Sequence, residues 1–380
     1  MNIKRVLIIG GYGNFGRFIA KVLAKNDQIQ LIIGGRHPEK AKALIKNLNA
    51  VQPAEAIYCD IANHFRATLK NIAPNLVIHT SGPFQGQDYT VALACIEQGC
   101  HYIDLADARD FVAGIGALNT MAKEKKVFIC SGASSVPCLS SAIVDHYISQ
   151  FSILETIDYA IATAQLTNQG LATTAGVLSY AGMPFTTLIH GKEQQVYGWQ
   201  NLRLKQFWHL NQRLLGNCNI PDLALFPQHY PQLKTIRFQA GLELKGLQLI
   251  LYTLSWMVRL HLLPPLNKFA PTLLKISHFF NVIGHNNTGF YMIMSGLDEA
   301  QKPKDIRFEI YAEAGDGLYI PCVPAILLAH RLVNGELTEI GAMPCVGLIS
   351  LTDYLHTLKS LGLQIRWQNV GLKALIMGGY

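Results

Sequence analysis

The stretch Lys4–Gly16, with the sequence KRVLIIGGYGNFG, decides the fold of the N-terminal part of the chain. Its apolar first half predicts a buried strand, and the residues after it predict a helix. In the G-x-G-x-x-G turn between them, the first glycine allows a tight bend, the second lets the backbone approach a pyrophosphate, and the third lets helix and strand pack closely. The helix N-terminus then attracts phosphate oxygens. We predict a dinucleotide-binding turn rather than a glycine-rich turn without a ligand, with the contacts Gly11, Gly13, Asn14, Phe15 and Gly16.

The end of the second predicted strand, IQLIIGGR, indicates which dinucleotide is bound. Sites that prefer NAD usually carry a carboxylate there, which accepts hydrogen bonds from the ribose 2′-hydroxyl. Here the strand ends in Gly34, Gly35 and Arg36, and the first carboxylate is Glu39. Small residues would leave room for a 2′-phosphate, which the Arg36 guanidinium can bind. The sequence therefore predicts NADP(H), with a solvated turn residue as the alternative role of Arg36.

Chain length and net charge limit the number of domains and the kinds of partner that we expect. A chain of 380 residues predicts two domains. Its 32 basic and 25 acidic residues give a net charge of +7, which suits phosphate-bearing cofactors, anionic substrates or an anionic membrane surface. The basic residues form no run and no nucleic-acid-binding motif, so we expect no nucleic-acid partner.

Cysteine and histidine spacing predicts neither a disulfide framework nor a metal. The eight cysteines form no CxxC pair, and no HExxH motif organises the thirteen histidines. The first predicted strand starts at the N-terminus without a preceding signal-like apolar segment. We therefore expect a cytoplasmic protein with reduced thiols, and we leave open contact with the inner face of a membrane.

Residues 1–138 alternate between strand and helix patterns, which predicts an α/β domain with the doubly wound parallel sheet of the Rossmann fold. Ligands of such sheets lie outside the carboxyl ends of the strands. The third strand ends at Asp60, which would lie at the adenine edge or act as a helix N-cap. The fourth strand runs into the turn Ser81, Gly82 and Pro83, which we place near the nicotinamide ring.

The proton that accompanies hydride transfer needs a donor at a strand end. Asp104 closes the predicted fifth strand, and Tyr102 lies two residues earlier on the same face. Burial in a cleft would raise the pKa of Asp104 enough for proton donation. The structural alternative is a helix cap or an ion pair with Arg109. We predict Asp104 and Tyr102 as catalytic residues, and a substrate side formed by Phe84, Tyr89 and Ser135.

The pattern changes after residue 138. Alternating strands over residues 139–321 predict an α+β domain with a mixed or antiparallel sheet, for substrate binding or dimerisation. Residues 322–380 are predicted to return to the first domain as helices. Within the second domain, residues 246–284 form an apolar helical hairpin broken by Pro264 and Pro265. The hairpin would rest on a membrane or admit a hydrophobic substrate; alternatively, it is a buried helix pair or a homodimer interface.

Several segments together resemble the saccharopine dehydrogenase (saccharopine reductase-like) family. They are GGYGNFG, the GGR turn, SGPF, ALACIEQGCHYIDLAD and GASSVPCLS, with a fainter likeness in PAILLAHRLVNGELTEIGAMPC near the C-terminus. The resemblance implies a Rossmann domain, a second domain with a mixed sheet, and NADP-dependent redox chemistry at the cleft between them. Many relatives carry an acidic residue after the sixth strand, where this chain has Ser134.

Three functions follow from these observations. The first is an NADP(H)-dependent oxidoreductase that reduces a C=N, C=O or C=C bond of a small, hydrophobic substrate. The second is a saccharopine-type amino-acid dehydrogenase, for which basic residues would bind the substrate carboxylates. The third is a catalytically silent nucleotide-binding protein that docks on membranes through residues 246–284. The basic residues that the second function requires are Arg203, Lys205, Arg213, Lys234 and Arg237.

Overall fold

A computed structural model describes residues 3–167 and 170–371. The strands are β1 (Lys4–Ile9), β2 (Ile29–Gly35), β3 (Glu55–Tyr58), β4 (Leu76–His79), β5 (His101–Asp104), β6 (Phe128–Ser131), β7 (Ile153–Ala162), β8 (Pro184–Ile189), β9 (Lys192–Tyr197), β10 (Arg203–Lys205), β11 (Arg213–Asn217), β12 (Thr235–Gly241), β13 (Thr288–Leu297), β14 (Pro303–Ala312), β15 (Gly341–Pro344) and β16 (Ile365–Gly371). The helices are α1 (Asn14–Leu23), α2 (Pro38–Ile45), α3 (Phe65–Ile72), α4 (Thr90–Glu97), α5 (Arg109–Ala113), α6 (Asn119–Glu124), α7 (Ser140–Tyr147), α8 (Gly170–Ser179), α9 (Asp222–His229), α10 (Lys245–Arg259), α11 (Ala270–His278), α12 (Val323–Val333) and α13 (Leu351–Ser360).

The chain divides into two units. The first consists of Met1–Leu139 and Tyr319–Ile349, and the second of Ser140–Leu318 and Ser350–Tyr380. The first unit contains a parallel sheet with the strand order β15-β6-β5-β4-β1-β2-β3. Its central strands are nearly continuous apolar runs because helices cover both faces of such a sheet. The predicted fold class, a Rossmann sheet plus a second α+β unit, is confirmed.

The strand order fixes where a ligand of the first unit would lie. The chain leaves β1 for β2 on one side of the sheet, and β4 lies on the other side of β1. The loops that follow β1 and β4 therefore diverge and leave a crevice at the carboxyl edge, which is the usual ligand site of doubly wound sheets. The glycine-rich turn follows β1, and the Ser81-Gly82-Pro83 turn follows β4.

The C-terminal part of the chain differs from the prediction that residues 322–380 all return to the first domain as helices. The segment Tyr319–Ile349 does join the first unit, where β15 pairs with β6 and the Tyr319 ring stacks on Phe18 at 4.1 Å. After α13, however, Gly362 adopts a φ of +70° and ends the helix. The next residues form β16, which pairs with β14 in the second unit. Residues 372–380 lie outside the described part of the chain.

The second unit is built on a mixed sheet. Its strand order is β10-β11-β12-β7-β13-β14-β16, and every pair is antiparallel except β12 with β7. One face carries Tyr159, whose ring packs on Phe226 of α9 and on Phe238 of β12. The other face carries Tyr291, whose ring packs on Phe207. Both faces of this sheet are therefore covered by apolar side chains.

The predicted hairpin over residues 246–284 forms two helices, α10 and α11. Two short 3-10 segments, Leu266–Phe269 and Phe279–Ile283, precede and follow α11. The buried-pair alternative is wrong for its second half, because α11 buries only Ala270 and the segment Phe279–Ile283 buries no residue. With 15 residues, α10 is shorter than the roughly 20 that span a bilayer.

One helical stretch of the described chain is long and apolar enough to cross a membrane. It covers Asp316–Val333, and 44% of it is buried within the protein. Its second half is α12, which packs against α1 of the first unit. A core helix has the same length and composition, so we interpret α12 as a helix of the parallel-sheet unit.

Candidate cofactor and active site

The glycine-rich turn after β1 has a geometry that side chains would obstruct. A Cβ atom on Gly16 would lie 2.5 Å from the Gly10 carbonyl oxygen and 2.7 Å from the Gly11 Cα. A Cβ atom on Gly13 would lie 3.1 Å from the same carbonyl oxygen. Gly13 is the N-cap of α1, and no side chain caps this helix. The first turn of α1 therefore presents backbone N–H groups suited to phosphate oxygens.

The turn after β4 lies directly against the glycine-rich turn. A Cβ atom on Gly10 would lie 2.5 Å from Ser81 Oγ, and one on Gly16 would lie 2.9 Å from Thr80 Oγ1. Gln87 holds the turn in place by donating hydrogen bonds from Nε2 to the carbonyl oxygens of Ser81, at 3.0 Å, and Pro83, at 2.8 Å. The residues predicted to bind the cofactor after β1 and β4, including Gly82, are thus brought together at one edge of the sheet.

The turn after β2 differs from the prediction in one respect. A Cβ atom on Gly35 would lie 2.5 Å from the Tyr12 ring, and one on Gly34 would lie 3.2 Å from Cys59 Cβ. The Tyr12 hydroxyl also accepts a hydrogen bond from the His37 N–H at 3.2 Å. The space left by the two glycines is therefore filled by protein and is not free for a 2′-phosphate. Arg36 is exposed beside this turn, so its guanidinium remains the group that would bind the phosphate.

Asp60 organises the loop after β3. Its carboxylate accepts hydrogen bonds from the Ala62 N–H at 3.1 Å and from Asn63 Nδ2 at 3.0 Å. These bonds lower the pKa of Asp60, and the positive charge of Arg36 lowers it further. The geometry favours the local-turn role of Asp60 over direct binding of adenine. The carboxylate also places a negative charge near Arg36.

Asp104 and Tyr102, the predicted catalytic pair, are fully buried. Asp104 Oδ1 accepts hydrogen bonds from the Gly132 N–H at 2.8 Å, the Ala106 N–H at 2.9 Å and Ser131 Oγ at 3.0 Å. Burial raises the pKa of Asp104 to about 6, although these bonds oppose the rise. A carboxyl group that is 0% exposed cannot reach a substrate. We therefore correct the prediction: Asp104 joins the ends of β5 and β6 and positions the loops that follow them.

His79, at the end of β4, is a residue of this site that the sequence prediction missed. Its Nδ1 lies 3.1 Å from the Tyr102 hydroxyl, and its ring contacts Phe84 at 5.0 Å between centroids. Burial lowers the pKa of His79 to about 4, so the ring is neutral near pH 7. His79 therefore supports the turn after β4 from inside the sheet. The sequence feature that could have identified His79 is a polar histidine at the end of an otherwise apolar strand.

Comparison with known proteins agrees with this geometry for the first unit. Residues 6–135 match the family model described as the saccharopine dehydrogenase NADP binding domain. The family predicted from the sequence motifs is thus the one whose NADP-binding domain residues 6–135 match. The match also confirms NADP(H) as the cofactor predicted for this domain. No curated protein sequence matches the chain.

One solved structure shares the fold over nearly the whole chain. Saccharopine dehydrogenase (L-Glu forming) from Saccharomyces cerevisiae aligns with a TM-score of 0.71 at 12% identity, covering 97% of this chain and 100% of that one. An amine dehydrogenase from Mycobacterium smegmatis aligns with a TM-score of 0.41 at 10% identity, covering 90% of this chain and 95% of that one. At 12% identity, the similarity to the yeast enzyme concerns the fold alone.

In the first unit, the residues predicted for the substrate side are packed differently from the prediction. Phe84 is 4% exposed and packs on Phe111 at 5.4 Å, and the Tyr89 hydroxyl donates to the Phe111 carbonyl oxygen at 2.7 Å. These two aromatic residues therefore pack the domain instead of forming an open wall. Ser135 is partly exposed in the segment after β6, next to the buried Ser134.

Asp107 is the second residue that the sequence prediction missed. It lies in the loop after β5 and is partly buried, and its Oδ1 accepts a hydrogen bond from Gln85 Nε2 at 3.2 Å. Because Gln85 directly follows the SGPF turn, Asp107 lies beside the loop that is predicted to lie near the nicotinamide ring. Burial raises the pKa of Asp107. The YIDLAD segment contains two aspartates. Asp104 is buried at the end of β5, whereas Asp107 lies outside the strand and is partly exposed to solvent.

Proposed function

We propose that this protein is an NADP(H)-dependent oxidoreductase that reduces a C=N, C=O or C=C bond of a hydrophobic substrate. The observation that carries the proposal is the contact between the glycine-rich turn and the turn after β4. It brings an uncapped helix N-terminus and the partly exposed Ser81-Gly82-Pro83 backbone to one edge of the sheet. A phosphate-binding turn on its own binds nucleotides, and the second turn gives a place for the reactive end of a dinucleotide.

The residues of the chain have separate parts in this proposal. The N–H groups at the start of α1 hold the pyrophosphate, and Arg36 pairs with the 2′-phosphate. The turn after β4 orients the nicotinamide, which supplies the hydride when it is bound. His79 and Asp104 keep that turn and the loops after β5 and β6 in place from inside the protein.

Asp107 is the group we assign to the proton. Its raised pKa allows the carboxyl group to hold a proton closer to neutral pH than an exposed aspartate does. The hydrogen bond from Gln85 holds its Oδ1 toward the loop after β4. The carboxyl group would give its proton to the atom of the reduced bond that does not receive the hydride (nitrogen, oxygen or the second carbon), and solvent would restore it.

The charges of the second unit favour a hydrophobic substrate over an amino acid with several carboxylates. Arg203 donates two hydrogen bonds of 2.8 Å to Asp158, and Arg237 approaches the same carboxylate at 3.9 Å. Lys234 pairs with Glu155 at 2.5 Å. Most of the basic residues named for the amino-acid alternative therefore already face carboxylates. A pocket in the second unit with two basic residues in its lining still supports the amino-acid alternative. It is lined by Gln206, Asn211, Gln212, Arg213, Glu243, Leu244 and Lys245.

Replacing Arg36 with alanine is expected to weaken NADPH binding and leave NADH binding unchanged. The 2′-phosphate would lose the charge-assisted hydrogen bonds of the Arg36 guanidinium, which contribute about 1.5–3 kcal/mol. The dissociation constant for NADPH should therefore rise about ten- to hundredfold. Titration followed by cofactor fluorescence measures this, with Arg66→Ala as a matched control because Arg66 is an exposed arginine on α3 paired with Glu97. Equal affinity of the intact protein for NADPH and NADH would contradict the assignment.

Replacing Asp107 with asparagine is expected to lower kcat by about a hundred- to ten-thousandfold, the usual range for loss of a general acid, without changing NADPH affinity. The substrate comes from a screen of aldehydes, ketones and imines that follows NADPH oxidation. The rate of the intact enzyme should fall as the pH rises through the raised pKa, and the variant should lose that dependence. Asp110→Asn, an exposed carboxylate on α5, is the control. Tight NADPH binding with no turnover in the screen would favour the silent nucleotide-binding alternative.

A further inference from the structure

The last turn of α11 and the segment that follows it expose large apolar side chains to an unusual extent. Ile276 is 46% exposed, Ile283 61%, Phe279 80% and Val282 92%. We call these four residues the apolar tip. Soluble proteins expose single apolar residues routinely, but neighbouring ones with such values mark a contact surface.

The apolar tip is held in a defined conformation by the loop after β7. Gln165 Nε2 donates hydrogen bonds to the Ser277 carbonyl oxygen at 2.8 Å and to Asn281 Oδ1 at 2.9 Å. Leu166, itself 39% exposed, donates its N–H to the His285 carbonyl oxygen at 3.0 Å. The apolar side chains are therefore presented by a fixed scaffold, at little cost in conformational entropy on binding.

The segment that contains the apolar tip carries basic but no acidic side chains. Residues 244–297 contain no aspartate or glutamate, and Lys268 and Lys275 are exposed near the tip in sequence. The carboxylate just before this stretch, Glu243, is 6% exposed and pairs with His285 at 2.6 Å. The segment therefore combines exposed apolar side chains with exposed lysines.

The exposed apolar side chains and the nearby lysines together indicate which kind of surface the apolar tip binds. A side chain that exposes 92% of its surface projects from the protein, so it suits a soft surface that it can enter. In a symmetric dimer, the same patch of each copy faces the other, which would bring lysines of like charge together. Anionic lipid headgroups attract the lysines, and the acyl chains below them take up apolar side chains. We propose that the apolar tip docks this protein on the surface of an anionic lipid bilayer. This docking is independent of the proposed redox activity.

A fluorescent label on the tip tests the proposal directly. All eight native cysteines are buried, so a cysteine introduced as Val282→Cys can be labelled selectively with the polarity-sensitive dye NBD. On addition of phosphatidylcholine vesicles with one-third phosphatidylglycerol, we expect its emission to rise several-fold and shift to the blue. Pure phosphatidylcholine vesicles should have a much smaller effect. The labelled Val51→Cys protein is the control, because Val51 is 57% exposed in the first unit.

Unlabelled variants separate the apolar contribution from the charge contribution in vesicle cosedimentation. Phe279→Ser combined with Val282→Ser should weaken binding about tenfold or more, given the apolar area lost. Lys275→Glu should weaken it about twenty-five-fold, because loss of a lysine near the surface costs about fivefold and repulsion of the new carboxylate costs about as much again. Lys70→Glu, with the same charge change on α3, should have little effect. Unchanged melting curves and NADPH affinity will show that the variants fold.

Two results would overturn the proposal. One is that the intact protein fails to bind the anionic vesicles. The other is that NBD emission at residue 282 rises with protein concentration alone while the serine variants turn a dimer into a monomer, which would identify the occupant as a second copy.

Discussion

Replacing Gly16 with alanine is expected to abolish measurable NADPH binding and to destabilise the first unit. The added Cβ would lie 2.5 Å from the Gly10 carbonyl oxygen and 2.7 Å from the Gly11 Cα, so backbone atoms would have to move. Overpacking of this kind costs about 1–3 kcal/mol of stability. The loss of affinity should be larger, because the shift displaces both the start of α1 and the turn after β4 that contacts it. Cofactor titration and thermal unfolding measure the two effects.

Gly116→Ala is the matched control for that experiment. A Cβ on Gly116 meets no atom within 4 Å, and Gly116 is exposed in the same unit. The control variant should bind NADPH like the intact protein and should melt at the same temperature. If Gly16→Ala retains full affinity, the glycine-rich turn does not hold the phosphates, and the proposed function loses its main support.

The Rossmann part of the fold was predictable because each of its signals is local. Buried parallel strands are apolar runs, and the close approach at Gly16 needs glycine whatever the rest of the chain does. Local sequence signals could not predict that the C-terminal part of the chain is divided between the two units. The four-residue strand β15 and the strand β16 depend on pairing with β6 and β14, which lie far away in sequence. Short strands of this kind carry too little periodicity to be assigned without their partners.

The candidate site shows the same limit at the level of single residues. The sequence placed an acid at the end of β5, and the YIDLAD segment offers Asp104 and Asp107. Which of the two reaches solvent depends on how the loops after β5 and β6 pack, since Ser131 and Gly132 bury Asp104. Likewise, the room expected at Gly35 is taken by Tyr12, a residue of another loop. Burial and pKa follow from tertiary packing, so local pattern alone does not decide them.

A buried carboxyl group in the second unit leads to the last prediction. Asp222, the first residue of α9, is 0% exposed, and its Oδ2 accepts hydrogen bonds from the Tyr159 hydroxyl at 2.6 Å and from Ser140 Oγ. Burial raises its pKa to about 7, and the pKa of Asp104 to about 6. An acid whose pKa is higher in the folded state stabilises the fold fully below the unfolded pKa and loses that contribution as the pH rises through the folded value. Ionisation should therefore cost about 4 kcal/mol for Asp222 and about 3 kcal/mol for Asp104.

The Asp222→Asn variant isolates the larger of these two contributions. Between about pH 4 and about pH 8, its free energy of unfolding should fall by about 4 kcal/mol less than that of the intact protein. Urea unfolding at both pH values measures the difference, and contributions from other carboxylates cancel between the two proteins. Glu193→Gln, which removes an exposed carboxylate on β9 of the same unit, should leave the pH dependence as it is in the intact protein. If Asp222→Asn keeps that full pH dependence, Asp222 is ionised in the folded state throughout this range. The hydroxyl groups of Tyr159 and Ser140 would then stabilise the charged form enough to offset its burial.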